Sequence, residues 1–275
     1  MTTRTGMVID TGLCSGPKNI LLDRAQWREA RDADTPICHV RFHRYCPTVS
    51  LGAFETAGHA LRAEYCHDRG INMVQRVSGG GAVYLDADQL CWTLILSHPG
   101  SWGKKNIAEW LALLCEGVAK GLQGLGVNAV FASPNDIEMA GRKLASGFVA
   151  LSDSALLFQG SILLDHDTET MMKALRVPTE KLTPDGVCSA RHRFATLRDA
   201  SVTVEPAVLE RHVLAGWAEL IGVEFGKRVE LAPEDITGDE HYVPPTGNWD
   251  AEHHSWYQAL VKTPGGVLYI RLRLS

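Results

Sequence analysis

The sequence predicts an α/β or α+β domain with a mixed central β-sheet and flanking helices, and three stretches carry that prediction. Residues 90–97 (LCWTLILS) are almost wholly apolar and rich in β-formers, the pattern of a central strand buried on both faces. Residues 106–125 place Ile107, Trp110, Leu111, Leu114 and Val118 on one helical stripe, closed by Gly124 and Gly126. Residues 129–164 read as a meander of β-rich runs separated by short turns. Mixed strands with helices between groups of them fit either class.

The remaining elements follow in order. A helix is expected over 17–31, with Pro17 in its first turn and Ile20, Leu21, Leu22 and Trp27 on its apolar side. A strand follows at 37–42, then a turn and strand at 47–52. Residues 57–69 read as one helix stopped by Gly70. A strand at 72–77 runs through a glycine run into another at 82–85. Within the meander, Ala140-Gly141-Arg142 and Ser152-Asp153-Ser154 supply turns between strands at 129–131, 137–139, 143–151 and 155–164. Helices are expected at 167–175 and 206–221. A Pro/Gly-rich stretch at 244–248 precedes a tail, 257–274, that suggests a hairpin around Pro264-Gly265-Gly266.

At 275 residues the chain suits one large domain, or one domain with a small appendage. Its 27 basic and 32 acidic residues give a net charge of −5, which argues against a nucleic-acid partner. No run of about eighteen apolar residues marks a membrane span. The polar start, residues 1–17, lacks a signal peptide's apolar core, so a cytoplasmic location is expected. The seven cysteines (Cys14, Cys38, Cys46, Cys66, Cys91, Cys115, Cys188) are widely spaced with no CxxC, so neither a disulfide framework nor a zinc knuckle is expected. His253-His254 lack further spaced ligands and read as surface.

The segment richest in chemistry is Arg76-Val77-Ser78-Gly79-Gly80-Gly81-Ala82-Val83-Tyr84. Adjacent glycines cost folding entropy, and their commonest use is close approach of backbone N–H groups to a ligand, often a phosphate; a hairpin turn is the plain alternative. A second segment, Pro134-Asn135-Asp136 followed by Gly141-Arg142-Lys143, adds a carboxylate and a cation. A P-loop is excluded, because Ala82-Val83-Tyr84 stand where that motif needs lysine and hydroxyl. A dinucleotide fingerprint fails on spacing and on the lack of a following helix. The cradle lies between two strands.

RVSGGGAVYLD resembles the lipoyl/adenylate-binding signature of the lipoate–protein ligase A family, within the biotin/lipoate ligase superfamily. PNDIEMAGRKLASGFVAL is similar to the block carrying that superfamily's essential lysine. QGSILLD, with Asp165, resembles its HGTLLLD-like strand, and CPTVSLG and KLTPDGVCSARHRFATL align in order, so the resemblance covers about residues 17–200. It implies an α+β catalytic domain with a mixed central sheet over 1–225 and a small C-terminal β extension over 226–275, which reads equally as a reduced accessory domain or as a closing hairpin of the main fold.

The implied activity is ATP-dependent: lipoate is converted to lipoyl-AMP, and the lipoyl group passes to a lysine of a carrier protein. The implied cofactors are ATP and Mg2+, with lipoate as substrate. The implied partner is a lipoyl domain or a glycine-cleavage-H-like protein, with or without an accessory subunit, while charge and hydropathy exclude nucleic acid and membrane as expected partners. By the resemblance Lys143 contacts the acyl carbonyl and the α-phosphate in both steps. Arg76, Ser78, Gly79, Gly80, Gly81, Ala82, Val83, Tyr84, Asn135, Gly160 and Ser161 are the implied ATP and adenylate contacts, and Asp136 the implied Mg2+ ligand. These parts suit the chemistry, since adenylation builds charge on phosphate oxygens that fixed donors stabilise. Tyr84 has a plain alternative as a core aromatic, Lys143 as an exposed turn lysine, and Asp136 as part of an Asx-type turn. Val49, Leu51, Val74, Leu94 and Phe148 are candidates to line an acyl slot.

The chain departs from the family at three places. Leu85 stands where histidine is usual, Ser146 where the lysine block has glycine, and Phe158-Gln159 where HHG is usual. The competing readings are an octanoyltransferase or amidotransferase of the same superfamily and a non-catalytic carrier-binding relative. The transferases carry acyl groups on a cysteine shortly before the lysine block, where this chain has Ala132-Ser133-Pro134-Asn135.

Overall fold

In the computed structural model, which describes residues 4–103, 105–176, 184–232, 256–263 and 266–273, the run Gln89–Ser97 lies inside an eight-stranded sheet and is buried at every position. The chain enters through β1 (Arg4–Cys14), α1 (Gly16–Asp32), β2 (Cys38–Tyr45) and β3 (Thr48–Leu51). Two short helices, α2 (Ala57–Ala60) and α3 (Ala63–Asp68), lead to β4 (Asn72–Gln75), β5 (Val83–Leu85) and β6 (Gln89–Ser97). After α4 (Ile107–Gly124) comes the meander β7 (Ala129–Ala132), β8 (Asp136–Met139), β9 (Arg142–Leu151) and β10 (Ala155–Leu163). Helices α5 (Thr168–Ala174), α6 (Pro184–Arg191) and α7 (Pro206–Ile221) precede β11 (Val223–Glu230), and β12 (Trp256–Thr263) pairs with β13 (Gly266–Arg273).

The main sheet has the order β11-β1-β2-β6-β10-β9-β8-β7. β1 is parallel to both β11 and β2, and the other five pairings are antiparallel, so the sheet is mixed as expected. A second sheet, β4-β3-β5, carries the segment 76–82 between β4 and β5. The hairpin β12-β13 is a sheet of its own, and its turn residues Pro264 and Gly265 lie outside the described residues, as does 244–248.

Helix ends follow their capping residues. The Ser15 hydroxyl accepts from Lys18 N at the start of α1. Asn106 and Glu109 form a reciprocal capping box on α4, and α7 stops at Gly222 with φ 68°. One face of the main sheet packs on α4 and α7 through Phe42, Trp92, Phe158 and Trp217. Trp217 stands 5.9 Å from Trp92 and 6.1 Å from Phe158 between ring centroids, and its Nε1 donates to Leu114 O. The opposite face packs on α1, with Ala30 against Ile95 and Leu157.

Several expectations need correction. Residues 57–69 form two short helices, because Leu61 leaves the helix to bridge Leu175 and Arg62 N bonds Ala174 O. The polar-looking segment 4–14 is a strand, held in the sheet by β2 and β11 on its two sides. Helix α6 and strand β11 were not among the expected elements. β11 runs across residues 225 and 226, so the main sheet extends to Glu230. Among the described residues, no helix is long and apolar enough to cross a membrane.

Candidate active site

Residues directly opposite in an antiparallel pair share a face of the sheet. His43 lies opposite Cys91, Cys91 opposite Ser161, Ser161 opposite Ser146, and Ser146 opposite Asp136. These five form one row across β2, β6, β10, β9 and β8, about 19 Å long at the usual strand spacing. The neighbouring row is Arg41, Thr93, Gln159 and Phe148. Both rows lie on the α1 face, and the glycine segment comes down on them: Ser78 Oγ is 2.8 Å from Gln159, and the Arg76 guanidinium lies 4.2 Å over the Phe148 ring.

Lys143 and Asp136 meet at the end of the first row. Lys143 Nζ is 2.8 Å from Asp136 Oδ1, a charge contact without hydrogen-bond alignment, and both side chains are about one-third exposed (30% and 33%). The Lys143 backbone is clamped by Arg193 O and Ala195 N, so the cation sits on fixed main chain. A bulge in the β8–β9 register, with Ile137 opposite Ala145 but Glu138 opposite Lys143, turns Lys143 to the face that Asp136 and Ser146 share. Asn135 fixes β9 from behind: its Nδ2 donates to Gly147 O and its carbonyl accepts from Gly147 N. Ser146, where the family has glycine, is buried and lies between Asp136 and Ser161 in the row.

Asp136 is the carboxylate that the resemblance offers for Mg2+. Among the described residues no group of three or more His, Cys, Asp or Glu converges. A single carboxylate about one-third exposed, at 33%, suits Mg2+, which takes one or two carboxylates together with substrate phosphates. The donor set therefore fits an ion held jointly by Asp136 and phosphate oxygens.

The N–H groups of Gly79, Gly80, Gly81 and Ala82 donate to no group among the described residues. A Cβ at Gly79 or Gly81 would meet nothing within 4 Å, so ligand has room beside them. Gly80 has φ +94° and a Cβ there would stand 2.6 Å from Phe148, so its lack of a side chain is required. Arg76 is placed differently from an open ATP or adenylate contact. It is buried, and its Nη1 donates to Ser50 O, its Nη2 to Gly79 O and Gly81 O, and its Nε to Ser78 Oγ. Burial pulls the guanidinium down to about 10, so it stays charged at neutral pH. It shapes the loop from inside. Tyr84 is buried with Val49, Leu51 and Leu61 in a second core cluster, so its ring follows the core alternative.

Beneath the loop is a cavity of about 30 Å3, lined by His43, Tyr45, Val83, Cys91, Phe148 and Gly160 among others. Ser161 also lines it. Of the residues expected to line an acyl slot, only Phe148 does; Val49, Leu51, Val74 and Leu94 are fully buried core. Ligand pockets usually measure about 300–1,000 Å3, so this cavity is small beside them. His43 is buried with Nδ1 unpartnered, and burial, then the Arg41 charge, holds it well below 6.5, hence neutral. His43, Cys91, Ser146 and Gln159 were missed by the sequence reading, or noted only as departures. Their signal is the period-2 alternation of β2, β6, β9 and β10.

Two thiols lie close to the rows. Cys115 of α4 packs behind Asn135 and Gly147, fully buried, and burial with the Asp136 charge pushes its thiol up to about 12. Cys91 is buried in the row and its thiol is likewise raised by burial. Both are held protonated at neutral pH. Cys188 is exposed on α6, with Sγ 3.8 Å from His192 Nδ1.

Residues 16–217 match the lipoyl protein ligase A/B catalytic domain family. The chain is 26% identical over 262 residues to the octanoyltransferase LipM of Kyrpidia tusciae, covering 86% of this chain and 92% of that protein. It is 28% identical over 217 residues to lipoate-protein ligase A subunit 1 of Thermoplasma acidophilum, covering 75% and 80%. Among solved structures, the bi-partite lipoate protein ligase of Thermoplasma acidophilum, reported with its E2 lipoyl domain, superposes with a TM-score of 0.73 at 24% identity, over 84% of this chain and 89% of that one. Lipoate-protein ligase A bound with ATP gives 0.69 at 23% identity, over 84% and 91%, and these likenesses show the fold. Matched over residues 16–217, this chain belongs to the lipoyl protein ligase A/B catalytic domain family, and the relatives named above are lipoate–protein ligases and an octanoyltransferase.

Proposed function

We propose that this protein is an ATP-dependent lipoate–protein ligase. In the first step a lipoate carboxylate oxygen bonds to the α-phosphorus of ATP as the bond to the β-phosphate oxygen breaks, releasing pyrophosphate. In the second, a carrier lysine amine attacks the acyl carbonyl, loses a proton and expels AMP. Lys143 holds a positive charge where the acyl carbonyl and α-phosphate meet, and the N–H groups of Gly79 to Ala82 are donors with no competing partner. Gly160 and Ser161 give the floor, and Asn135 keeps β9 and Asp136 in register. Mg2+ held by Asp136 and phosphate oxygens would neutralise charge on the departing pyrophosphate.

The observation that favours adenylation over thiol-borne acyl transfer is the state of Cys91 and Cys115. The two thiols nearest the rows are buried and held protonated, whereas a nucleophilic cysteine needs a partly exposed setting that lowers its pKa. The likeness to subunit 1 of a lipoate-protein ligase supports an accessory subunit. Intact mass of a lipoyl domain, incubated with the protein, lipoate and Mg2+, tests the reading. A lipoyl gain only when ATP is added is expected. Acyl gain from an octanoyl-carrier donor without ATP would replace it with the transferase.

A further inference from the structure

A buried ion pair lies beneath the site and is connected to the glycine loop by one side chain. Arg41 and Asp23 are 1% and 0% exposed, with Nη2 2.5 Å from Oδ1. Arg41 spends its other donors on Thr11 Oγ1, Asn19 Oδ1 and O, and Gln26 Oε1. Asp23 accepts also from Thr93 Oγ1 at 2.7 Å and from Gln159 Nε2 at 2.6 Å. The pair is thus saturated on both sides, the condition for a buried charge pair to be tolerated.

The chemistry of the anchor sets every proton outward from it. An ionised carboxylate only accepts, so the Gln159 amide must turn its NH2 to Asp23 and its oxygen to Ser78. That oxygen only accepts, so Ser78 must donate its hydroxyl proton to it, at 2.8 Å. The Ser78 oxygen then has room to accept from Arg76 Nε, whose Nη2 holds Gly79 O and Gly81 O. The loop bearing the four N–H donors is therefore held by a chain of one polarity, in which Gln159 supplies the side-chain hydrogen bond to the main sheet, beside the packing of Arg76 on Phe148.

We propose that Gln159 is a positioning residue: its amide couples Ser78 to the buried Asp23–Arg41 pair and so fixes the loop donors for acyl activation. The catalytic consequence rests on the ligase reading above, whereas the mechanical one stands without it. Gln159→Leu keeps the bulk and cuts the link. Gln159→His restores a side chain that donates and accepts at once.

Two readouts on the full chain decide it. Amide hydrogen exchange over residues 76–83 of ligand-free protein is expected to speed up in Gln159→Leu and to return toward wild type in Gln159→His. Lipoate-dependent ATP–pyrophosphate exchange is expected to show kcat lowered by about 10²-fold in Gln159→Leu, the scale of a small donor misplacement, with KM little changed and kcat recovered in Gln159→His. If Gln159→Leu does not fold, Ser78→Ala cuts the same link at its loop end and is expected to give the same exchange and kcat changes. Unchanged loop exchange, no recovery with histidine, or a rise in KM alone would overturn the proposal. Should wild type lack pyrophosphate exchange, the ligase reading fails and the loop exchange data alone decide the coupling.

Discussion

The two faces of the main sheet are built from the same strands but to opposite ends. On β10, Phe158, Gly160 and Ile162 face α4 and α7, while Leu157, Gln159 and Ser161 face α1 and the glycine loop. The first set packs dry against Trp92 and Trp217. The second carries a hydroxyl, an amide and, through its neighbours, a buried ion pair and the Lys143–Asp136 contact. Alternation along a strand thus separates dry packing from polar chemistry at intervals of about 3.4 Å. A polar group on the site face is not free, however: each is either bonded inward, as Gln159 is, or left near solvent, as Lys143 is.

The largest expected effects test whether both faces bear stability. Asp23→Ala leaves Arg41 buried and unpaired, and denaturant unfolding is expected to show a loss of about 3–5 kcal/mol. Phe158→Ala on the other face is expected to cost a similar ~3–5 kcal/mol through its cavity. A site face that bore no stability would show little loss for Asp23→Ala.

Next in size is Lys143→Ala, expected to lower the ligation rate about 10²–10³-fold. Because the side chain is about one-third exposed, at 30%, its unfolding midpoint should stay close to wild type. Loss of both activity and fold would place Lys143 with the structural residues instead.

A smaller effect is a pH slope. His43 is held neutral in the fold by burial and the Arg41 charge, whereas in the unfolded chain it takes a proton below about 6.5. Its depressed value makes the unfolded state the better proton binder there, so its contribution to stability falls as pH drops below that point. His43→Asn should lessen the stability lost between pH 7 and pH 5 relative to wild type. His39 and His166, also lowered by burial, keep their own share, and Asp86 and Glu210, raised by burial, oppose it. An unaltered slope in the variant would contradict a neutral buried imidazole. Smallest of all, Cys115→Ser and Cys188→Ser should each leave ATP-dependent ligation within about twofold, since neither thiol carries the acyl group in the proposed steps.

Much of the fold was legible because its signals are local. The apolar run of β6, the stripe of α4 and the turn residues of the meander each encode their element within about twenty residues. β1 and β11 were not legible, since their partners supply what their own pattern lacks. In the site, Lys143, Asp136 and the glycines stood out as motifs. Arg76 did not reveal its direction: whether a guanidinium faces ligand or its own loop depends on the carbonyls of Ser50, Gly79 and Gly81 around it. Gln159 stood out only as a departure from HHG, because its meaning depends on Asp23, 136 residues earlier in the chain.

The most direct test of adenylation on the polar face is ATP–pyrophosphate exchange by the protein with lipoate and Mg2+, with no carrier present. Lipoate-dependent exchange that is abolished in Lys143→Ala is the predicted result. Absence of exchange in wild type, together with acyl transfer from an octanoyl-carrier donor, would contradict it.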